Sequence, residues 1–268
     1  SKLATFEDEL GSQAVSKPVG SMMEITIPAN ASNFRGEAGR LRRRALSMAV
    51  DREKLAREVF YDTVIPANGF VAPLHGTMPP APTDAEALTY QPEKARELWE
   101  KAEKMDPFEG TFSIAYNLDG SHQKWVEAVA KQMTDTLGVP CEGRPLETFK
   151  DMRQEVTARH ITGAFRTVWQ AEYPDESSFL APLFASYSAA NESGFSNGEF
   201  DDLLKKAGKA ATKAEAHEYY AQAQDLLVDA MPAIPLWTSK ALGAYGKDIA
   251  PASYTWKPTP NYYLIHRT

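Results

Sequence analysis

The chain has 268 residues, 43% of them hydrophobic and 24% charged, with a net charge of −7 and one cysteine. This is globular composition with length enough to bury a core, and it lacks the broad basic face that DNA or RNA binding requires. Cys141 has no partner for an intrachain disulfide, and no run of about 18 apolar residues is present to cross a membrane.

Ser1–Glu9 is polar and charged, unlike a signal peptide, so any export address would precede it. Met23–Ile27 is a short β-rich run. A helix follows over Arg42–Val50, with Leu41, Ala45, Leu46 and Ala49 on one stripe. The arginines Arg40, Arg42, Arg43 and Arg44 frame its start, since three consecutive residues cannot share a stripe. Asp51 opens a second helix, Arg52–Phe60. Ile65–Asp84 holds Pro66, Pro73, Pro79, Pro80 and Pro82 and reads as a long loop, because proline removes backbone donors.

Pro92 occupies a first helical position before Lys94–Met105, whose buried face is Ala95, Leu98, Trp99 and Ala102. Thr111–Tyr116 alternates as a strand. The next helix, Ser121–Leu137, places Trp125, Val129, Met133 and Leu137 at four-residue spacing and stops at Gly138. Val139–Leu146 is a weak strand, and Glu147–Val156 a helix grouping Phe149, Met152 and Val156. Gly163–Trp169 is a further strand. Ser196 with Glu199, and Thr212 with Glu215, read as capping boxes for helices to Leu204 and Ala230. The second helix would bury Tyr219, Ala223, Leu226 and Ala230. Ile234–Trp237 is a strand, and a turn-rich tail from Gly243 closes on a last strand, Tyr262–Ile265. Strands alternating with helices define an α/β protein.

The chain carries no glycine-rich nucleotide loop, no H-E-x-x-H, no C-x-x-C and no nucleophile elbow. His75, His122, His160, His217 and His266 include no i,i+4 pair, so neither a local zinc site nor another metal or cofactor is expected. Cys141 reads as a half-buried inert thiol. Glu172, Asp175 and Glu176 follow the strand ending at Trp169. Glu172 and Asp175 could be the carboxylate pair of a glycosidase-like hydrolase, an N-terminal acid set on a helix, or a source of one acid facing a cleft. Glu172 lies at a strand's carboxyl end, where α/β sheets bind ligands. Trp169 is either core or cleft wall. A ligand-independent interaction module is a third reading.

Several segments, in order, resemble a known family. Arg43–Arg52 (RRALSMAVDR) resembles the R-x-A-L-x-x-A-I-D-R segment of oligopeptide/dipeptide-type ABC-importer substrate-binding proteins, bacterial solute-binding protein family 5. Pro66-Ala67 and Val71-Ala72-Pro73 are similar to the stretch that follows it there. Tyr90–Leu98 (YQPEKAREL) resembles Y-D-P-x-K-A-x-x-L, Trp169–Asp175 (WQAEYPD) resembles W-x-A-D-Y-P-D, and Gly194–Asp201 (GFSNGEFD) resembles G-Y-S-N-P-E-F-D. Ala233–Leu236 (AIPL) matches the family's I-P-L strand.

The resemblance implies a periplasmic-binding-protein-like class II lobe, a mixed sheet with flanking helices, from the C-terminal part of a longer protein. Residues 1–38 and 237–268 would belong with the first lobe and 39–236 would form the second ligand-binding lobe. The implied protein is not an enzyme. It is an extracytoplasmic binder of short peptides that delivers to permease subunits and meets the membrane only through them or a lipid anchor. The implied ligand residues are Glu172, Trp169, Arg166, Tyr173 and, less directly, Arg153. Glu172 stands where the family has aspartate at the ligand's ammonium group, and Arg166 matches an arginine turned toward a ligand carboxylate.

Overall fold

Local signals place most of the helices. In a computed structural model, which describes residues 5–76, 78–250 and 253–268, a short helix α1 (Phe6–Leu10) precedes strand β1 (Ala14–Thr26). Helix α2 (Gly36–Met48) and α3 (Arg52–Phe60) follow, the second capped by the Asp51 carboxylate, which accepts from the Lys54 amide at 2.9 Å. Strand β2 (Val64–Pro66) leads into the proline-rich loop, and α4 (Pro92–Met105) begins on its proline. Strand β3 (Phe112–Asn117), α5 (Gln123–Leu137), β4 (Cys141–Leu146), α6 (Phe149–Thr157) and β5 (Ala164–Gln170) form the central α/β run. Gly138 ends α5 at φ 71°, a left-handed conformation that costs glycine nothing. Helices α7 (Ser177–Phe184), α8 (Gly198–Ala207) and α9 (Lys213–Ala230) precede strand β6 (Ala233–Ala244).

The strands make one six-stranded mixed sheet in the order β2-β6-β1-β5-β3-β4. β3 runs parallel to β4 and β5, and the other neighbours are antiparallel. Gly163 allows β5 to close on β3, because a Cβ there would strike the Ser113 carbonyl. The main core is continuous from Met22 to Trp237, with Trp99, Trp125 and Trp237 buried in it. Trp125 and Trp237 meet edge-to-face at 5.8 Å.

Several expectations are corrected. The arginines sit inside α2 rather than at its start, and each finds its own partner: Arg42 is fully buried against Glu103 and the Asn33 carbonyl, and Arg44 reaches Asp84. Asn197, not Ser196, caps α8, accepting from the Glu199 and Phe200 amides. Thr212 does cap α9 through the Glu215 amide, but the Glu215 carboxylate accepts from Ala211 rather than closing the box. The buried stripe of α9 is Tyr220, Ala223, Gln224, Leu227 and Val228, one residue on from the stripe of Tyr219 and Leu226. Phe149 is 47% exposed and does not join Met152 and Val156. Tyr262–Leu264 is a 3-10 turn, not a strand.

Candidate functional site: a cavity at the carboxyl ends of the parallel strands

The carboxyl ends of β3, β4 and β5 lie on one edge of the sheet, and α6 starts beside them. Asn117 ends β3 opposite Leu146, the last residue of β4. Thr148 begins α6 with a full capping box: its hydroxyl accepts from the Asp151 amide at 3.1 Å, and Asp151 accepts from the Thr148 amide at 3.1 Å. A cavity of about 490 Å³ opens here, walled by Phe149 and Arg153 of α6, Arg166 and Trp169 of β5, Leu183 of α7 and Glu192 of the following loop.

Arg166 is 7% exposed and is held by one neutral acceptor, the Asn117 side-chain oxygen, which takes Nε at 2.9 Å and also Nη2. The Phe149 ring lies 5.0 Å from the guanidinium carbon. No carboxylate pairs with Arg166 among the described residues. Burial lowers its affinity for the proton, nearby Asp119 opposes that, and Arg153 adds to it. Asp119 anchors this corner. Its carboxylate accepts from the Phe149 amide at 3.0 and 3.1 Å and from the Asn117 amide group. These bonds, the Asn117 one foremost, hold its carboxyl below the ordinary range.

His122 lies beside Asn117 and is pushed down to about 4, first by burial and then by Arg166. It is neutral at pH 7, and its Nδ1 accepts from Trp125 Nε1 at 3.2 Å, which leaves the proton on Nε2. Arg153 and Glu192 form a two-point ion pair, Nη1 to Oε2 at 2.7 Å and Nη2 to Oε1, and this pairing raises the Arg153 pKa.

Of the five ligand residues implied by the sequence, the cavity brings together Arg153, Arg166 and Trp169. Trp169 is half-buried, and its indole donates to the Ser178 carbonyl at 2.7 Å. Glu172 and Tyr173 lie beyond it, exposed, on the turn that leads to α7; the Glu172 backbone amide is fixed by Ser178 at 2.8 Å. Asp175 is drawn to the start of α7 and to α9: its Oδ1 accepts from Ser177 and from the Tyr220 hydroxyl at 3.0 Å. The sequence reading missed Phe149 and Glu192 in the cavity wall, and Asn117, Asp119 and His122 in the shell behind Arg166. Asn117 had a signal, since it follows the strand expected over 111–116 at its carboxyl end. Glu192 had none, because 39 residues separate it from Arg153. No group of three His, Cys, Asp or Glu is placed to hold a metal among the described residues. No helix among them is long and apolar enough to cross a membrane.

A mixed sheet with helices packed on it is the fold seen in class II periplasmic peptide-binding proteins. The unliganded open form of the periplasmic murein tripeptide-binding protein MppA superposes with a TM-score of 0.81 at 21% identity, over 93% of this chain and 48% of MppA. The model of the bacterial extracellular solute-binding proteins, family 5 middle, matches residues 29–191, and the chain belongs to that family. The dipeptide-binding protein DppE of Bacillus subtilis is 28% identical over 203 residues, 73% of this chain and 36% of DppE. The glutathione-binding protein GsiB of Escherichia coli is 29% identical over 217 residues, 77% of this chain and 41% of GsiB. The chain thus spans well under half the length of these curated relatives.

Proposed function

We propose that the chain is the ligand-gripping lobe of an extracytoplasmic ABC-importer component that captures short peptides and hands them to permease subunits. Residues 39–236 would form this lobe, with β1 and β6 pairing inside its sheet, while the remainder of 1–38 and 237–268 would join the first lobe, which supplies the other wall of the cleft. The protein would be a binder and not an enzyme, held at the membrane by its permease or by a lipid anchor outside this chain. The names of its relatives support peptide chemistry: a dipeptide, glutathione and a murein tripeptide.

The observation that carries this reading is Arg166, a buried guanidinium with no carboxylate partner, at the wall of a cavity. A buried cation without a counter-charge is costly, and a ligand carboxylate would relieve that cost. The peptide's carboxylate would meet Arg166, its ammonium group Glu172, and its side chains Trp169 and Tyr173. Arg153 would stand at the cavity margin.

The test is calorimetric titration of the two-lobed protein with Ala-Ala-Ala and with its C-terminal amide. The acid form is expected to bind about a hundredfold more tightly, and Arg166→Gln is expected to erase that difference. Equal affinities for acid and amide in the wild type would overturn the assignment. The 268-residue chain alone is expected to bind only weakly, because one lobe cannot enclose a ligand. Nanomolar affinity from this chain by itself would overturn the two-lobe reading.

A further inference from the structure

The cavity holds two cations and one acid among its described lining residues, and the acid is already spoken for. Arg153 and Arg166 supply the positive charge, and Glu192 grips Arg153 at two points. Glu192 is not a wandering surface side chain. It belongs to a loop pinned by Asn191, whose side-chain nitrogen donates to the carbonyls of Phe184 (3.2 Å), Ala185 (3.1 Å) and Phe195 (2.8 Å). The Asn191 side-chain oxygen accepts from the Ser193 hydroxyl at 2.8 Å and from the Gly194 amide at 3.0 Å. The Ser193 carbonyl in turn accepts from the Ala29 amide at 2.7 Å, which ties the loop to the segment after β1. Glu192 is 21% exposed by side chain and Arg153 42%, so the pair sits at the cavity mouth rather than in open solvent.

We infer that Glu192 is a specificity-determining residue: by occupying Arg153 it leaves Arg166 as the one cation among the described lining residues with no carboxylate bonded to it, and it turns away ligands that bring two carboxylates to that end. The inference rests on the peptide-binding reading above and deepens it. Its physics is the balance of charge in a confined space. With Glu192 in place, the described lining residues carry a net charge of about +1, from two guanidiniums and one carboxylate, and Asp119 acts on Arg166 from behind the lining, its own oxygens bonded to Asn117 and the Phe149 amide. One α-carboxylate brings that to neutrality. A second carboxylate, on a C-terminal aspartate for example, would have to lie beside Glu192 or displace it from Arg153. Rejecting a competitor through an unmatched like charge is a common way to obtain selectivity without adding affinity for the preferred ligand.

The probes are Ala-Ala-Ala, its C-terminal amide, and Ala-Ala-Asp, titrated calorimetrically into the two-lobed protein. Wild type is expected to prefer Ala-Ala-Ala over Ala-Ala-Asp by about tenfold or more. Glu192→Gln frees Arg153 and is expected to collapse or invert that ratio, mostly through tighter binding of Ala-Ala-Asp, with Ala-Ala-Ala changed by about threefold or less. Arg153→Gln leaves Glu192 without its partner and is expected to widen the ratio in the opposite direction; it also serves should Glu192→Gln fail to fold. An unchanged ratio in whichever variant folds overturns the inference. If the amide binds wild type as well as the acid does, the carboxylate reading fails and takes this inference with it. If the amide is weak but the ratio does not move, this inference alone falls.

Discussion

Arg52 and Arg166 are both buried arginines without a carboxylate bonded to them, at 4% and 7% exposure, yet they do opposite things. Arg52 is saturated. Its Nε donates to the Pro235 carbonyl at 2.7 Å, Nη1 to the carbonyls of Ser47 and Val50 at 3.1 and 3.4 Å, and Nη2 to the Ser47 hydroxyl at 2.9 Å. It staples α3 to the end of α2 and to β6. Arg166 has a single neutral acceptor atom and a cavity in front of it. Burial lowers the pKa of both, Arg52 to about 10. Burial therefore does not separate a structural arginine from a binding one. The number of acceptors the protein itself supplies does.

Five substitutions separate residues that hold the fold from residues that meet the ligand. The largest effect is expected from Arg52→Met, which removes the arginine donors from three backbone carbonyls and a hydroxyl in the core and should lower unfolding stability by about 3–5 kcal/mol in urea titration. A loss under about 1 kcal/mol would mean that Arg52 is not the staple its bonds describe. Leu227→Ala leaves both arginines intact and empties a fully buried position. It should cost about 2–5 kcal/mol in the same assay, with Leu226→Ala costing clearly less because that residue is only half-buried. Equal losses at the two positions would contradict the register of α9.

Glu172→Gln tests the other end of the proposed ligand. In the two-lobed protein it should weaken a tripeptide by about two decades relative to its N-acetylated form, with thermal stability unchanged. An unaltered preference for the free ammonium would remove Glu172 from the ligand site.

The last test reads a slope against pH and not a single offset. Glu24, near the end of β1 and 1% exposed, is raised by burial from 4.5 to about 8. The folded state therefore holds this proton where the unfolded chain has released it, and stability should fall as pH rises between those values. Glu24→Gln should flatten that fall when denaturation midpoints are compared across pH 4.5 to about 8. Parallel curves for the two proteins would mean Glu24 ionises as freely in the fold as outside it.

Much of the fold was legible because it is written locally. Asp51 before Arg52, Pro92 at the start of α4 and Gly138 after α5 are chemical stop and start signals, and the structure uses each as read. Helix α7 was missed because SSFLAPLF is apolar all round and carries Pro182 within it, so it shows neither a polar face nor an unbroken run of donors. The first half of β1 was missed because Pro18 and Gly20 argue against a strand. There β1 tolerates both by breaking register with β6 between Pro18 and Met22. The candidate site divides the same way. Arg166 and Trp169 share one strand, expected over Gly163–Trp169 and observed as β5, so a sequence reading finds them together. Asn117 and Glu192 reach the cavity from β3 and from the loop after α7, 49 and 39 residues from the arginines they hold, and only folding brings them there.

The two-oxygen grip of Asp119 on the start of α6 has a consequence for recognition. One carboxylate joins the tip of β3, through Asn117, to the first turn of the helix that carries Phe149 and Arg153. The wall bearing Arg166 and the wall bearing Arg153 are therefore fastened to each other before any ligand arrives. The conformational entropy of aligning two long cationic side chains is surrendered during folding, so less of it is left to oppose capture.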